Sequence, residues 1–213
     1  MLPFTSRLRY KDDVYDRISK PVSWIYWVPI NASCTSDLLS ANDYKTPPTV
    51  MRTAVIPANG DRFLEFYWLP NDPSQQFYVY LHFAEVQDLR SDQLRKFDIF
   101  LNGDHWIKSL VPTKSPITVE SRYSVSGEEL TFLINMTSDS TFPPILNAAE
   151  IYMIKHFQQS PTNQDDVIAI KDNQSVYTVE RNWQGDPCVP KEYLWDGLVC
   201  SDEGYNSPSI ISL

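Results

Sequence analysis

Between Arg62 and Phe157, apolar and polar residues alternate along most of the chain. The run RFLEFYWL (Arg62–Leu69) sets Leu64, Phe66 and Trp68 on one face. QFYVYLHFAEV (Gln76–Val86) sets Phe77, Val79, Leu81 and Phe83 on one side, with Tyr78, Tyr80 and His82 on the other. KFDIFLNGDHWI aligns Phe97, Ile99 and Leu101, then turns at Asn102-Gly103, a pair suited to the positive φ angles of a two-residue type I′ hairpin. ELTFLINMT alternates Leu130, Phe132, Ile134 and Met136 against Thr131, Leu133 and Asn135. AEIYMIKHF ends the series with Ile151 and Met153 on one face. A period of two, held over about a hundred residues and broken by Pro, Asp, Ser and Asn clusters, is the mark of half-buried strands. The expected fold class is mainly β, an antiparallel sandwich of the jelly-roll type.

Past Phe157 the alternation stops. QQSPTNQ reads as a linker. A short helix is expected in TNQDDVIAIKDNQSVYTV, where Thr162 stands three residues before Asp165 and acid fills the first turn. Val167, Ile170 and Tyr177 would form its apolar stripe. NWQGDPCVPKEYLWDGLVC (Asn182–Cys200) follows, then a polar loop, then SIISL, which alternates like the first half of a strand.

Composition narrows the functional classes. The 213 residues are 42% hydrophobic and 13% aromatic, enough for one good-sized core plus an appendage. A net charge of −9 without a basic block is a poor match to nucleic acid or anionic lipid, so neither is an expected partner. No apolar run approaches the length that spans a bilayer, and MLPFTSRLRY lacks the apolar stretch of a signal peptide. No Gly-rich phosphate loop occurs, and no cofactor or metal is implied.

Several residues carry candidate chemistry. Asn31-Ala-Ser33, Asn135-Met-Thr137 and Asn173-Gln-Ser175 fit the glycosylation acceptor, or are ordinary polar turns. Asn135 falls opposite Ile134 and Met136, so a glycan there would lie outside. Cys188 and Cys200 stand twelve positions apart. A disulfide closing so small a loop is worth roughly 2–3 kcal/mol and would steady a small apolar-poor segment, with Trp183 and Trp195 packed against it. A metal site or two free thiols are the competing readings; zinc wants at least three ligands, and no other Cys or His is near in sequence.

Catalysis has thin support. Glu65, Glu85, Asp98 and Glu150 are the strand carboxylates a jelly-roll glycoside hydrolase could recruit, but charged strand residues are usually a solvated face. His82, His105 and His156 sit in unrelated contexts, and no G-x-S-x-G elbow exists. No residue is assigned as catalytic. Aromatics are better placed for binding, because ring faces stack on sugars. SWIYW (Ser23–Trp27), Tyr67, Tyr78, Tyr80 and Trp106 are available, whereas Phe66, Trp68 and Phe83 read as core. The ligand-binding candidates are Trp24, Tyr26, Trp27, Tyr67 and Trp106. Strand spacing would put Trp24 and Tyr26 on one face and Trp27 opposite.

Two motif groups resemble known families. NWQGDPC (Asn182–Cys188), WDGLVC (Trp195–Cys200) and IISL (Ile210–Leu213) resemble the start of a plant leucine-rich-repeat ectodomain. RYKDDVYDRISKP (Arg9–Pro21), YVYLHFAEVQ (Tyr78–Gln87), FDIFLNG (Phe97–Gly103) and PPILNAAEIY (Pro143–Tyr152) are similar to the malectin-like region of plant receptor kinases. The resemblance implies a malectin-like β-sandwich over residues 1–157, with a junction segment over 1–22. It implies a leucine-rich-repeat N-terminal cap, held by a Cys188–Cys200 disulfide, and the start of the first repeat over 158–213. A solenoid needs such an atypical cover for its apolar end. The family usually carries two malectin-like modules in tandem, and this chain corresponds to the second. Cys34 has no evident partner, and Ser19 stands where relatives commonly have Trp.

The resemblance implies the extracellular ligand-recognition part of a plant receptor-like kinase, at the outer side of the plasma membrane. It is non-catalytic, senses a carbohydrate or peptide ligand, and has a co-receptor as a further partner. The alternative is a protein-interaction module for receptor pairing with no sugar site. A glycoside hydrolase is the remote alternative.

Overall fold

The computed structural model describes residues 8–9, 13, 17–22, 24–32, 43–156, 159–177, 183, 185–201 and 207–213. Cys34 lies outside the described residues. The chain divides into two compact units, Met1–Ile154 and Lys155–Leu213.

In the first unit, β1 (Leu8–Arg9) pairs with β2 (Ile18–Ser19). β3 (Trp27–Asn31) is antiparallel to β4 (Thr53–Pro57), and the single turn α1 (Pro48–Met51) between them buries Met51. The alternating segments follow as β5 (Phe63–Trp68), β6 (Phe77–Phe83), β7 (Phe97–Leu101), β8 (Asp104–Leu110), β9 (Ile117–Glu120), β10 (Leu130–Met136) and β11 (Ala148–Met153). They form a four-stranded sheet, β5-β10-β7-β8, and a three-stranded sheet, β11-β6-β9. Every pairing within these two sheets is antiparallel.

The inward faces are those the alternation predicts. Leu64, Ile99, Leu130, Phe132 and Ile134 from one sheet share a core with Val79, Leu81 and Phe83 from the other, all with no exposed surface. Aromatic contacts cross between the layers: Phe83 lies 5.3 Å from Phe97, and Trp68 meets Phe77 edge-on at 4.5 Å. Burying each such side chain contributes about 1.5–3 kcal/mol. The predicted hairpin forms between Leu101 and Asp104, with Asn102 at φ 52° and Gly103 at φ 83°. The alternation buries less at an edge. β11 borders the three-stranded sheet, so Ile151 is only half-buried and Met153 is exposed at the strand end.

An ion pair fastens the connection from β6 to β7. Arg95, 1% exposed, donates from Nε to Glu85 Oε2 at 2.7 Å and from Nη2 to Gln87 Oε1 at 2.6 Å. It also donates to the Pro143 carbonyl and lies 5.4 Å from the centre of the Phe142 ring. Side-chain donors and acceptors thereby meet where the backbone leaves the sheet.

The second unit is built around α2 (Gln164–Val176). Asn163, not Thr162, caps it, accepting from Asp165 N at 2.9 Å. Thr162 turns instead to Asp186, whose carboxylate accepts from its N–H and hydroxyl. Ile170 packs with Trp183, Trp195 and Leu198, whereas Tyr177 is exposed and leaves the predicted stripe. Two short strands, β12 (Val199–Cys200) and β13 (Ile210–Ser212), pair antiparallel. Cys188 and Cys200 are joined by a disulfide, their Cα atoms 5.9 Å apart. Among the described residues no helix is long and apolar enough to cross a membrane.

Candidate functional site

Strand β5 edges the four-stranded sheet. Its inward residues, Leu64 and Phe66, enter the core, so pleating turns Phe63, Glu65 and Tyr67 outward, and all three are exposed. Thr131 of β10 pairs opposite Tyr67 on the same face. Against this edge sits the turn that opens β3. Trp27 N donates to the Trp24 carbonyl at 3.0 Å, and Ala58 N donates to the Tyr26 carbonyl at 2.8 Å. The turn lifts Ile25 and Tyr26 into solvent and folds the two tryptophans together.

The result is an open cleft of about 420 Å³. Trp24 and Trp27 stack at 5.6 Å, and Tyr67 meets Trp24 edge-on at 5.2 Å. Trp27 contacts Phe66 edge-on at 5.8 Å, and Phe66 stacks on Phe132 at 4.6 Å, which ties the cleft wall to the core. Asp61, Glu65 and Glu129 line the same space. Aromatic faces beside carboxylates can stack on a sugar ring while accepting from its hydroxyls, or hold a cation.

Four of the five predicted ligand residues, Trp24, Tyr26, Trp27 and Tyr67, therefore converge. Trp24 and Trp27 do not take opposite faces as strand spacing predicts, because Ile25 and Tyr26 form a turn rather than extended strand. Trp106 does not join them. It lies on β8 and packs partly buried against the core. Glu129 and Asp61 were missed, since an acid in a loop carries no periodic signal.

A second polar constellation covers the outward face of the three-stranded sheet. Arg17 donates to both Asp13 carboxylate oxygens at 2.9 Å, to Glu150 Oε1 at 2.8 Å and to the carbonyls of Tyr44 and Lys45. The Tyr152 hydroxyl donates to Glu150 Oε2 at 2.7 Å. His82, with no exposed surface, shares Nδ1 with Thr118 Oγ1 at 2.9 Å and holds Nε2 3.7 Å from Glu150. Burial pushes the Glu150 carboxyl up, but His82, Tyr152 and the Arg17 guanidinium outweigh it and hold the acid below its usual value. Burial and the neighbouring Glu150 raise the Tyr152 phenol. This network ties Asp13 and Arg17 to β11, beside His82 of β6. It reads as structural, with each charge answered by another.

The model of the malectin-like domain matches residues 2–154. The chain belongs to the malectin-like domain family. A probable LRR receptor-like serine/threonine-protein kinase of Arabidopsis thaliana is 41% identical over 211 residues, covering 97% of this chain and 24% of the relative. A putative leucine-rich repeat receptor-like serine/threonine-protein kinase of the same plant is 41% identical over 209 residues, covering 96% and 24%. The chain thus spans about a quarter of the curated relatives it matches. Among solved structures, the plant peptide RALF23 in complex with FER and LLG2 matches with a TM-score of 0.55 at 18% identity, over 70% of this chain and 46% of the matched one. The ANXUR1 extracellular domain from Arabidopsis thaliana matches with a TM-score of 0.50 at 21% identity, over 63% and 40%. These likenesses show a shared fold.

Residues 2–154 form the malectin-like domain. Its strand carboxylates have separate tasks: Glu85 pairs with Arg95, Glu150 with Arg17, and Asp98 accepts from Ser109 N at 2.7 Å. Of the four candidate strand carboxylates, Glu65 lines the cleft. Asn31, Asn135 and Asn173 are all exposed. In the second unit, Asp186 Oδ1 accepts from Cys188 N at 3.0 Å and Val189 N at 3.1 Å, and shapes the turn before the disulfide. Trp183 and Trp195 stack at 5.2 Å beside it.

Proposed function

We propose that this chain is the extracellular ligand-recognition part of a plant receptor-like kinase, with its ligand in the Trp24–Tyr67 cleft. The observation that carries the reading is the convergence of four aromatics on one open cleft at a sheet edge. The two relatives named as receptor-like kinases support the setting. Carbohydrate and peptide both remain classes for the ligand. The complex of RALF23 with FER and LLG2 is the precedent for a peptide, and the stacked tryptophans are the feature a sugar ring would use. In this reading Lys155–Leu213 is the N-terminal cap of a leucine-rich-repeat solenoid, with β13 opening its first repeat. Asn31, Asn135 and Asn173 carry glycans on the secreted receptor.

The test is retention of the secreted chain on glucan oligosaccharides and on secreted plant peptides, with Trp24→Ala and Tyr67→Ala alongside. Loss of retention in both variants supports the cleft. Retention unchanged by either substitution removes the cleft from the ligand role. In that case ligand-free pairing with another receptor ectodomain, scored by pull-down, is the function to pursue.

A further inference from the structure

The charge around the cleft is one-sided. Among the described residues its acids are Asp61, Glu65 and Glu129, and no Lys or Arg lines it. Among the described residues none of these three carboxylates belongs to an ion pair, whereas Asp13, Glu85, Asp88, Asp92, Asp139 and Glu150 each have a cationic partner. Three unneutralised acids facing one cavity repel each other, and a bound cation relieves that repulsion. Indole and phenol faces attract the same cation through their quadrupoles. A neutral sugar gains nothing from the net charge. Beside the cleft, Ile25 is 87% exposed between two lining aromatics. Its side chain offers an apolar surface next to the aromatics.

We infer that the cleft receives an Arg or Lys side chain of an extended peptide, with an apolar neighbour of that residue resting on Ile25. This deepens the proposed function and rests on the cleft being the ligand site. The basic head lies over Trp24 and Tyr67 and is answered by Glu65 and Glu129. An acidic peptide is repelled.

Fluorescence anisotropy tests this on the whole chain. One labelled peptide alternates Arg and Leu; a second carries citrulline at every Arg position, which keeps the shape and removes the charge. The arginine peptide is expected to bind at least about tenfold more tightly than the citrulline peptide, and to weaken as salt rises. Glu65→Gln with Glu129→Gln, both exposed, should weaken the arginine peptide by about tenfold while leaving the melting temperature unchanged. Failure of the arginine peptide to bind, equal binding of the two peptides, or indifference to the double variant overturns the inference. Cellohexaose separates this failure from that of the parent reading. Cellohexaose binding that is lost in Tyr67→Ala, with no peptide binding, keeps the cleft as the ligand site and rejects the cationic ligand. Binding of any probe that survives both Tyr67→Ala and Trp24→Ala overturns the cleft reading itself.

Discussion

Replacing Arg95 with Met should strip the first unit of a large part of its stability. The guanidinium is 1% exposed and its partner carboxylate, on Glu85, is 7% exposed. Their contacts run at 2.7 Å and 3.4 Å, and Gln87 adds another at 2.6 Å. Met keeps the aliphatic stem and its packing, so the change isolates the charge. Without Arg95, Glu85 keeps the Gln87 N–H at 3.0 Å but has no countercharge. A buried charge left uncompensated costs about 3–5 kcal/mol, against a total stability of about 5–15 kcal/mol for such a domain. Neutralising the survivor should restore much of the loss. The double variant Glu85→Gln with Arg95→Met is therefore expected to be more stable than Arg95→Met alone, with a coupling energy of about 2 kcal/mol. Urea unfolding gives the free energies, and hydrogen exchange at the amides of β6 and β10 reports the first unit separately. A loss below about 1 kcal/mol in Arg95→Met, or a double variant whose loss is the sum of the two single losses, would refute the reasoning.

Acid should loosen the Arg17 network. The Glu150 carboxyl is held below its ordinary value of 4.5, so its contribution is full above that pH and is lost as pH falls through the lower folded value. The stability gap between wild type and Glu150→Gln is thus expected to be widest above about pH 5 and to shrink at lower pH; a gap independent of pH rules this out. Reducing the Cys188–Cys200 bridge, which spans 12 positions, should cost the second unit about 3 kcal/mol through loop entropy. Urea unfolding followed through the stacked Trp183 and Trp195 reads that loss, and an unchanged midpoint in reductant contradicts it. Gly103 sits at φ 83°, and a Cβ there would meet nothing within 4 Å. Gly103→Ala should therefore cost only backbone strain, about 1–2 kcal/mol, seen as a lower melting temperature; a loss several times larger would mean a packing role.

The core was legible because burial acts on every second residue of a strand. Phe77, Val79, Leu81 and Phe83 are each at most 2% exposed, as their alternation requires. Asn102-Gly103 was legible for a local reason, since few residue pairs tolerate two positive φ angles. Legibility fails where a distant partner decides. Thr162 and Asn163 are both good caps, and the choice between them is settled by Asp186, which takes up Thr162 from 24 positions away. Met153 has the right phase for burial but lies at the end of an edge strand and stays 43% exposed. Arg17 lies within a motif quoted for its family resemblance, yet its reach to Glu150 spans 133 positions and leaves no trace in local spacing.

The cleft was half-legible for the same physical reason. Aromatic type marked Trp24, Tyr26, Trp27 and Tyr67 as ligand-capable, but type alone also chose Trp106, which is core cover. What separates them is the turn at Ile25-Tyr26, which presses two indoles against the β5 edge, and a turn of that kind has no period. The acids come from three places, Asp61 before β5, Glu65 within it and Glu129 before β10, so no window of sequence contains them together. Phe66 shows how the two kinds of determinant meet. One contact of its ring is the stack on Phe132 in the core, and another is the edge of Trp27 in the cleft. Its side chain is dictated by burial whatever the ligand, so Phe66→Ala would confound unfolding with lost recognition. Tyr67, one position on and 49% exposed, lies outside the core cluster, so Tyr67→Ala tests the cleft without opening a cavity in the core.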